Sequence, residues 1–182
     1  MDTIKPVRRI VTIDDADGKS LAAADAPSPD VRTDPARPGF ASTRIWVTTA
    51  SPPRIEAQYR DALLLPHMMV PPPHGSLCRI VEIPPDDTWR RKVGAADVAA
   101  FFSAMGAPRA ATGGADAPHP YMQRTQTLDF CLVLEGEVTL VLDDEEVALA
   151  PGDTVVQRGT NHAWSNRSDK PCRIAISSHD AA

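Results

Sequence analysis

His162 and Asp129 are the two residues of this chain whose types and surroundings suggest chemistry. His162 stands in PGDTVVQRGTNHAW (151–164), after a glycine-containing turn and at the start of an apolar stretch. Asp129 lies inside the apolar run LDFCLVL, where an unpaired carboxylate costs several kcal/mol, so it needs a partner. Imidazole titrates near neutral pH, and a neighbouring carboxylate can hold it in one tautomer. The pair predicts proton transfer to or from a small molecule.

Strand periodicity predicts that both residues face one cavity. Alternate side chains of a strand share a face, so Asp129 lies with small and polar neighbours, while Leu128, Phe130, Leu132 and Leu134 form the opposite face. A small, polar, carboxylate-bearing face is typical of a cavity lining, whereas a wholly apolar face packs against protein. By the same rule His162 and Trp164 share a face of a later strand. The predicted substrate-binding residues are Gln123, Thr125, Tyr121 and Trp164.

Short strands with tight turns dominate the chain and predict a sandwich or closed barrel. β-branched or alternating runs predict strands over 8–13, 44–49, 77–83, 127–134, 138–142, 147–149, 154–157, 162–166 and 172–176. Apolar residues at helical spacing predict one helix over 95–105, ended by Gly106 and Pro108. The segment 106–120 is rich in glycine and proline and predicts a mobile flap. Residues 22–38 show no period and predict a surface arm that buries little area.

Composition narrows the classes of partner. The chain has 182 residues, 42% of them apolar, and a net charge of −5, which suits one domain with extensions. It carries no cluster of basic residues, so nucleic acid is not an expected partner. It carries no apolar segment of about 20 residues, so we expect no membrane span and a cytoplasmic location. Its three cysteines are widely separated and predict neither disulfides nor a zinc knuckle.

The second half of the chain resembles a motif of the cupin superfamily, a family of small β-barrels. That motif runs Gly, five residues, Pro-x-Gly, two residues, His, three residues, Asn. Here it is matched by Gly152, Gly159, His162 and Asn166, with no proline before Gly159 and one residue fewer in between. GTNH keeps the Gly-x-x-His spacing, so the resemblance places His162 at a site position.

The other cupin motif is matched in spacing but not in residue type. It runs Gly, five residues, His-x-His, three or four residues, Glu, six residues, Gly. Gly136 closes it, Asp129 stands at the Glu position, and Gln123 and Thr125 stand where the family has its two histidines. The resemblance covers residues 121–177, about a third of the chain.

The resemblance implies an all-β fold, a single cupin barrel (double-stranded β-helix, or jelly roll) with an N-terminal extension and one or two short helices. It divides the chain into residues 1–60, N-terminal strands and a Pro-rich arm packing on the barrel, and residues 61–182, the barrel with helix 95–105 and flap 106–120. It also implies a homodimer, which the apolar outer face of 128–134 supports.

For cupins generally, the resemblance implies a divalent metal held by three histidines and one carboxylate, here iron, manganese, nickel or zinc. The candidate ligands in this chain are Gln123, Asp129 and His162, with His119 as a further candidate that swings in from the flap. A transition metal needs at least three good protein ligands, and a carboxamide oxygen is a poor substitute for imidazole. Binding of a metal and its absence both remain open at this point.

Three functions are consistent with these residues. The first is a metal-independent lyase, isomerase or cyclase in which His162 moves a proton and Asp129 orients it. The second is a metal-dependent dioxygenase or decarboxylase that uses Asp129, His162 and either Gln123 or His119. The third is a barrel that binds a small molecule without turning it over. In each of them the partner is a small organic molecule, and the first is the function we expect.

Overall fold

The computed structural model describes residues 4–56, 59–114 and 116–182, which are almost entirely strands and loops. Two short 3-10 helices span Ala62–Leu64 and Asp86–Thr88. None of the helices in the described ranges has the length and apolar character to cross a bilayer. The longer elements are β1 (Arg8–Asp14), β2 (Ser20–Pro27), β3 (Val31–Thr33), β4 (Ala41–Thr48), β5 (Ser76–Ile83), α1 (Ala95–Ala104), β6 (Thr127–Glu135), β7 (Val138–Val141), β8 (Glu146–Leu149), β9 (Thr154–Arg158), β10 (Ala163–Ser165) and β11 (Cys172–Asp180).

Two sheets build the barrel, and a separate hairpin of β1 and β2 precedes them. The larger sheet has the order β3-β4-β5-β11-β6-β9, and the smaller has the order β10-β7-β8. Both sheets contribute to one hydrophobic core, which includes Ile174 of β11 and Leu140 of β7. Every predicted strand is present, with bounds that differ by a few residues, and the all-β barrel is confirmed.

Pairing with strand β11 determines which residues of β5 and β6 lie beside each other. Strand β11 pairs with β5 on one side and β6 on the other, and its residues alternate between buried and half-buried. Ile176 therefore lies between Arg79 and Cys131, and Ser178 lies between Leu77 and Asp129. Directly opposed residues of paired strands project to the same side of the sheet. The two rows therefore place the polar side chains of Arg79, Asp129 and Ser178 in the interior.

Helix α1 covers the interior, as its sequence period predicts. Gly94 precedes it, and the Asp97 carboxylate accepts a hydrogen bond from the Gly94 backbone N–H at 2.9 Å. Its buried residues recur three and four positions apart, which puts Phe101, Phe102 and Met105 on the side that faces the core. The predicted helix 95–105 is confirmed to within one residue.

The N-terminal arm differs from its prediction. Residues 22–38 were expected to form an aperiodic surface arm, but they complete β2 and form β3. Asp34 and Arg37, which follow β3, are buried in the core. Proline and alanine obscured these elements because both strands lie at sheet edges, where a strand needs no alternating apolar face. Strands β3 and β4 belong to the large sheet, so the barrel includes residues that precede position 61.

The outer face of β6 is apolar and exposed. Phe130 is 49% exposed, and its neighbour on β9, Val156, is 58% exposed. Leu132 and Leu134 on the same face are each 39% exposed. The predicted division of β6 into two faces is confirmed, since Cys131 and Val133 are buried. The expected protein cover for the apolar face is not supplied by the described part of the chain.

Candidate functional site

The barrel encloses a cavity of about 50 Å³ under helix α1. At roughly 10–15 Å³ for each water molecule, it has room for about three to five waters. Its wall is mostly apolar and aromatic, with a few polar groups, an arrangement typical of a small-molecule site. The lining residues are Arg37, Phe40, Ser42, Met69, Arg79, Val81, Ile83, Phe101, Phe102, Met105, Tyr121, Gln123, Trp164 and Ile176.

A tight turn brings His162 to the interior. Gly159 has a φ of +67°, and a Cβ at this position would lie 3.1 Å from the Thr125 carbonyl oxygen, so the turn favours glycine. After the turn, His162 and Gln123 exchange two backbone hydrogen bonds, of 2.8 and 3.0 Å. The Gly-x-x-His spacing therefore places His162 directly opposite Gln123.

Hydrogen bonds define the tautomer of His162. Its Nδ1 lies 2.9 Å from the backbone carbonyl oxygen of Thr160, which can only accept, so Nδ1 carries the proton. Its Nε2 is then an acceptor and lies 3.2 Å from the side-chain Nε2 of Gln123. Asp129 was predicted to hold the tautomer, and this prediction is wrong because the Thr160 carbonyl occupies Nδ1.

Burial lowers the pKa of His162 below its ordinary value. The hydrogen bond to Thr160 and the negative charge of Asp129 both oppose the shift, and the charge of Arg79 adds to it. The sequence left the direction of this shift open, because burial and a nearby carboxylate act in opposite senses. In the structure burial dominates, so His162 is neutral at pH 7 and its Nε2 is basic.

A polar row crosses three strands beside His162. Asp129 of β6 lies opposite Ser178 of β11 and Gln157 of β9. Asp129 Oδ1, Ser178 Oγ and Gln157 Nε2 are buried and have no hydrogen-bond partner among the described residues. The charge of Asp129 raises the pKa of His162 and also that of Arg79. Asp129 is therefore close enough to both groups for its charge to act on them.

The predicted site residues fall into two layers. Tyr121, Gln123 and Trp164 line the cavity, as three of the four predicted substrate-binding residues. His162 and Asp129 are not among the lining residues, and His162 reaches the cavity wall through its contact with Gln123. The fourth predicted residue, Thr125, lies off the cavity, and its hydroxyl bonds that of Thr127 at 2.8 Å.

The residues at the family's metal positions do not fit a transition metal. They offer one imidazole, one carboxylate, one carboxamide and one hydroxyl, and the basic nitrogen of His162 is engaged by Gln123. Within the described ranges, no three histidine, cysteine or acidic residues converge on a point where an ion could sit. The charge of Arg79 near Asp129 opposes a cation further. A stable site needs at least three good ligands, and this donor set has two.

His119 lies away from this cluster. It was predicted as a further candidate ligand that swings in from the flap, but it is fully buried, and its Nε2 lies 3.6 Å from Asp86 Oδ2. Its ring also stacks edge-on against Trp89, at 5.8 Å between centroids. Its assignment as a ligand is wrong because Asp86 and Trp89 hold the ring. The mobility of 106–120 stays a prediction, and both ends of this segment are packed, through Ala107, Ala110 and His119.

Sequence reasoning missed two arginines that line the cavity. Arg37 comes from the arm and lies over four aromatic rings, at distances to the ring centroids of 3.5 Å for Tyr121, 4.0 Å for Phe40, 4.4 Å for Phe101 and 5.7 Å for Trp89. Its Nε lies 2.7 Å from Asp34 Oδ2, which also accepts a hydrogen bond from the Tyr121 hydroxyl at 2.8 Å. Arg79 lies in the middle of β5. Its place in the strand LCRIVEI, at the same parity as Leu77 and Val81, was the available signal.

Comparison with known proteins agrees with this geometry. Residues 110–178 match the family model of the cupin domain. Residues 110–178 of this chain are a cupin domain. The match runs from within the flap segment to β11 and includes every site residue that the sequence predicted. Arg37 and Arg79, which the sequence did not predict, precede it.

The cupin relatives include proteins named for biosynthesis. Phomopsin biosynthesis cluster protein C' of Diaporthe leptostromiformis is 34% identical over 128 residues, which are 68% of this chain and 51% of that protein. The cupin-domain-containing oxidoreductase fogC of Aspergillus ruber is 43% identical over 54 residues, 29% of this chain and 25% of that protein. The Cnp3 cupin domain of Schizosaccharomyces pombe has a TM-score of 0.46 and 8% identity, covering 95% of this chain and 87% of that one. The chain spans about half the length of the phomopsin protein.

Proposed function

We propose that this cupin barrel is an enzyme that moves a proton on a small organic molecule, without a metal, as a lyase, isomerase or cyclase. His162 is the proposed general base. The observation that carries the proposal is the state of its ring: Nδ1–H is held by the Thr160 carbonyl, and the unprotonated Nε2 faces Gln123 in the cavity wall. Burial keeps the imidazole neutral and therefore able to accept a proton at pH 7.

Gln123 controls access to that nitrogen. Its amide lies 3.2 Å from His162 Nε2 and also lines the cavity. Because Nε2 accepts, the Gln123 amide donates through its NH2 group. A substrate that offers its own acidic proton replaces this donor when the Gln123 side chain rotates. Gln123 is thus a binding residue that keeps the base in place until a substrate arrives.

Asp129 and Arg79 set the electrostatics around the base. When His162 accepts a proton it becomes a buried cation, which the charge of Asp129 stabilises and the charge of Arg79 destabilises. Burial remains the largest influence on the pKa of His162, and these two charges act on it in opposite directions. Asp129 acts here as a positioning charge rather than as a group that touches the substrate.

The names of the relatives support an enzymatic role. Biosynthesis cluster proteins and a cupin oxidoreductase are among them. A metal-dependent dioxygenase or decarboxylase is the second candidate from the sequence. The donor set at Gln123, Asp129 and His162 gives it no support in this chain. A binding protein without turnover is the remaining alternative, and the experiment below separates it.

Exchange of carbon-bound hydrogen with solvent deuterium tests the proposal directly. The protein is stripped of metal, and a panel of small carbonyl compounds is incubated with it in D2O and followed by proton NMR. We expect exchange at an acidic carbon of at least one compound, because a base that removes a proton returns a deuteron. His162→Gln keeps the size and some hydrogen bonding but cannot transfer a proton, so exchange falls by about 10²- to 10⁴-fold.

A second histidine supplies the matched control. His179 lies at the far end of β11, half-buried, with its Nε2 3.1 Å from the Ser177 hydroxyl and no contact with the cavity. His179→Gln should leave the exchange rate unchanged. Equal exchange by the wild type and a folded His162→Gln protein contradicts the assignment of the base. Binding of the compounds without any exchange favours the alternative of a binding protein.

We further propose that the chain forms a homodimer through the outer face of β6 and β9. Phe130 and Val156 are paired across these strands and are about half exposed. Exposed apolar surface that is continuous over neighbouring strands is typical of a protein interface. Leu132 and Leu134 extend the same face. A second copy of the chain is the partner that the family resemblance suggests.

A further inference from the structure

Three side chains that line the cavity each carry a buried polar atom without a partner among the described residues. These atoms are Arg37 Nη2, Arg79 Nε and Ser42 Oγ, none of which has a hydrogen-bond partner within the described part of the chain. All three side chains line the cavity, and each residue is more than nine-tenths buried. A buried donor that lacks an acceptor costs about 1–3 kcal/mol, and more when it is charged, so a cavity with three of them favours a ligand that accepts hydrogen bonds.

Arg79 is the least compensated charge in this wall. Its Nη1 donates to the Met69 carbonyl at 2.8 Å, and it forms no salt bridge with a described residue. Asp129 acts on it only through the longer-range effect of its charge. A guanidinium remains charged in a protein, and burying it without a counter-ion is strongly unfavourable. A negatively charged group of a ligand, bound in the cavity next to Arg79, supplies the missing counter-ion.

Arg37 is held rigidly enough to share such a group. The rings of Tyr121, Phe40 and Phe101 surround its guanidinium, and Asp34 fixes its Nε at 2.7 Å. Its Nη2 has no hydrogen-bond partner among the described residues and is therefore available to donate to a ligand. Cation–π contacts of this kind stabilise a buried guanidinium without occupying its N–H groups. Arg37 is therefore a preorganised donor rather than a mobile one.

We propose that the cavity binds the carboxylate of a small organic acid, with hydrogen bonds from Arg37 Nη2, Arg79 Nε and Ser42 Oγ. Guanidinium groups match carboxylates in charge and shape. A cavity of about 50 Å³ suits an acid with a few non-hydrogen atoms, and the apolar remainder of the wall suits a short aliphatic body. A phosphate ester is bulkier and carries up to two charges, whereas one uncompensated guanidinium calls for one.

This inference rests on the proposed function only in its last step. Gln123 lines the same cavity and contacts His162, so an acid whose carboxylate is held by the arginines presents its neighbouring carbon to that side of the wall. The base then removes a proton from carbon next to the carboxylate or to an adjacent carbonyl, and returns it later in the cycle. The proton balance needs no other reactant for an isomerisation.

Binding measurements on the full chain test the carboxylate site separately from the chemistry. Calorimetric titration with acetate, propionate and pyruvate is compared with acetamide, propionamide and inorganic phosphate. We expect the acids to bind at least 10-fold more tightly than the amides or phosphate. Equal affinity for acids and amides overturns the proposal, and so does tighter binding of phosphate. His162→Gln should bind the acids as the wild type does, so loss of exchange with binding retained bears only on the base.

Two variants locate the site. Ser42→Ala removes an unpartnered hydroxyl, so it should fold as well as the wild type and bind acids about 3- to 10-fold more weakly. Arg79→Gln combined with Asp129→Asn removes both charges and leaves no unpaired buried ion, and it should lose the preference for acids over amides. Arg167→Gln, an exposed arginine paired with Glu146, is the control and should change nothing. Unchanged affinity in Ser42→Ala overturns the role of Ser42, and an unchanged preference in a folded double variant overturns the site.

Discussion

Replacing Gln123 with histidine should create the metal site that this barrel lacks. Gln123 Nε2 lies 3.2 Å from His162 Nε2. Two nitrogen ligands of a tetrahedral ion, each bonded at about 2.0–2.1 Å, stand about 3.3 Å apart. Position 123 therefore lies at a suitable distance from His162 for a second metal ligand. The carboxamide of glutamine is a poor ligand for a transition metal, whereas imidazole is a good one. A second imidazole, with Asp129 as the carboxylate, gives the three protein ligands that a transition metal needs.

The expected size of the effect follows from linkage. A folded protein whose site is filled at 100 times its Kd gains about 2.7 kcal/mol. For a chain of this length each kcal/mol raises Tm by about 2–4 °C, so saturating Zn²⁺ should raise the Tm of Gln123→His by roughly 5–11 °C. The wild type should shift by no more than the error of the measurement. Scanning calorimetry with and without Zn²⁺ measures both.

Two further variants make this result specific. Gln126→His introduces the same residue at an exposed position three residues along, and Zn²⁺ should not stabilise it. Adding Asp129→Asn to Gln123→His should remove most of the gain. A wild type that Zn²⁺ stabilises by several degrees would refute the conclusion that its donor set does not fit a metal. No gain in Gln123→His would refute the expectation that Asp129, His162 and residue 123 can ligate one ion together.

Three other predictions concern stability and assembly. Burial lowers the pKa of both His119 and His162, so below about pH 6.5 the unfolded chain takes up protons that the folded chain does not. The free energy of unfolding, measured with urea, should fall as pH drops from 7.5 to 5, by up to about 1.4 kcal/mol per pH unit for each histidine, and His162→Gln should flatten this slope. Asp34→Asn leaves a buried guanidinium unpaired and should cost about 3–5 kcal/mol, whereas Glu146→Gln, in an exposed pair, should have no measurable effect in the same assay. Val156→Lys places a charge on the exposed face of β9 and should give a monomer in light scattering, while an unchanged dimer would exclude that face as the interface.

The sequence predicted the parts of the site that depend on local periodicity. Alternation along β6 assigned Asp129, Cys131 and Val133 to the interior, and all are buried. The GTNH spacing placed His162 opposite Gln123, where two backbone hydrogen bonds confirm the pairing. These features follow from the alternation of side chains along a strand and from the turn at Gly159. Both depend only on residues that are close together in the sequence, so the sequence alone predicts them.

The remaining parts depend on contacts between distant segments. Arg37 enters the core because the rings of Trp89, Phe101 and Tyr121, which are distant in the sequence, surround its guanidinium. No local pattern in a Pro-rich segment signals these contacts. The partner of His162 Nδ1 is a backbone carbonyl two residues away, which sequence cannot distinguish from a carboxylate across the barrel. His162 also lies behind the cavity wall because the Gln123 side chain reaches it first.

The central claim is that His162 transfers protons without a metal. Its most direct test measures the rate of solvent-deuterium exchange per protomer in preparations of different metal content, with iron, manganese, nickel and zinc determined by elemental analysis of the same samples. The proposal predicts one rate at every metal content, including the chelator-stripped protein, and loss of that rate in His162→Gln. A rate that rises in proportion to bound metal and vanishes on stripping would contradict it.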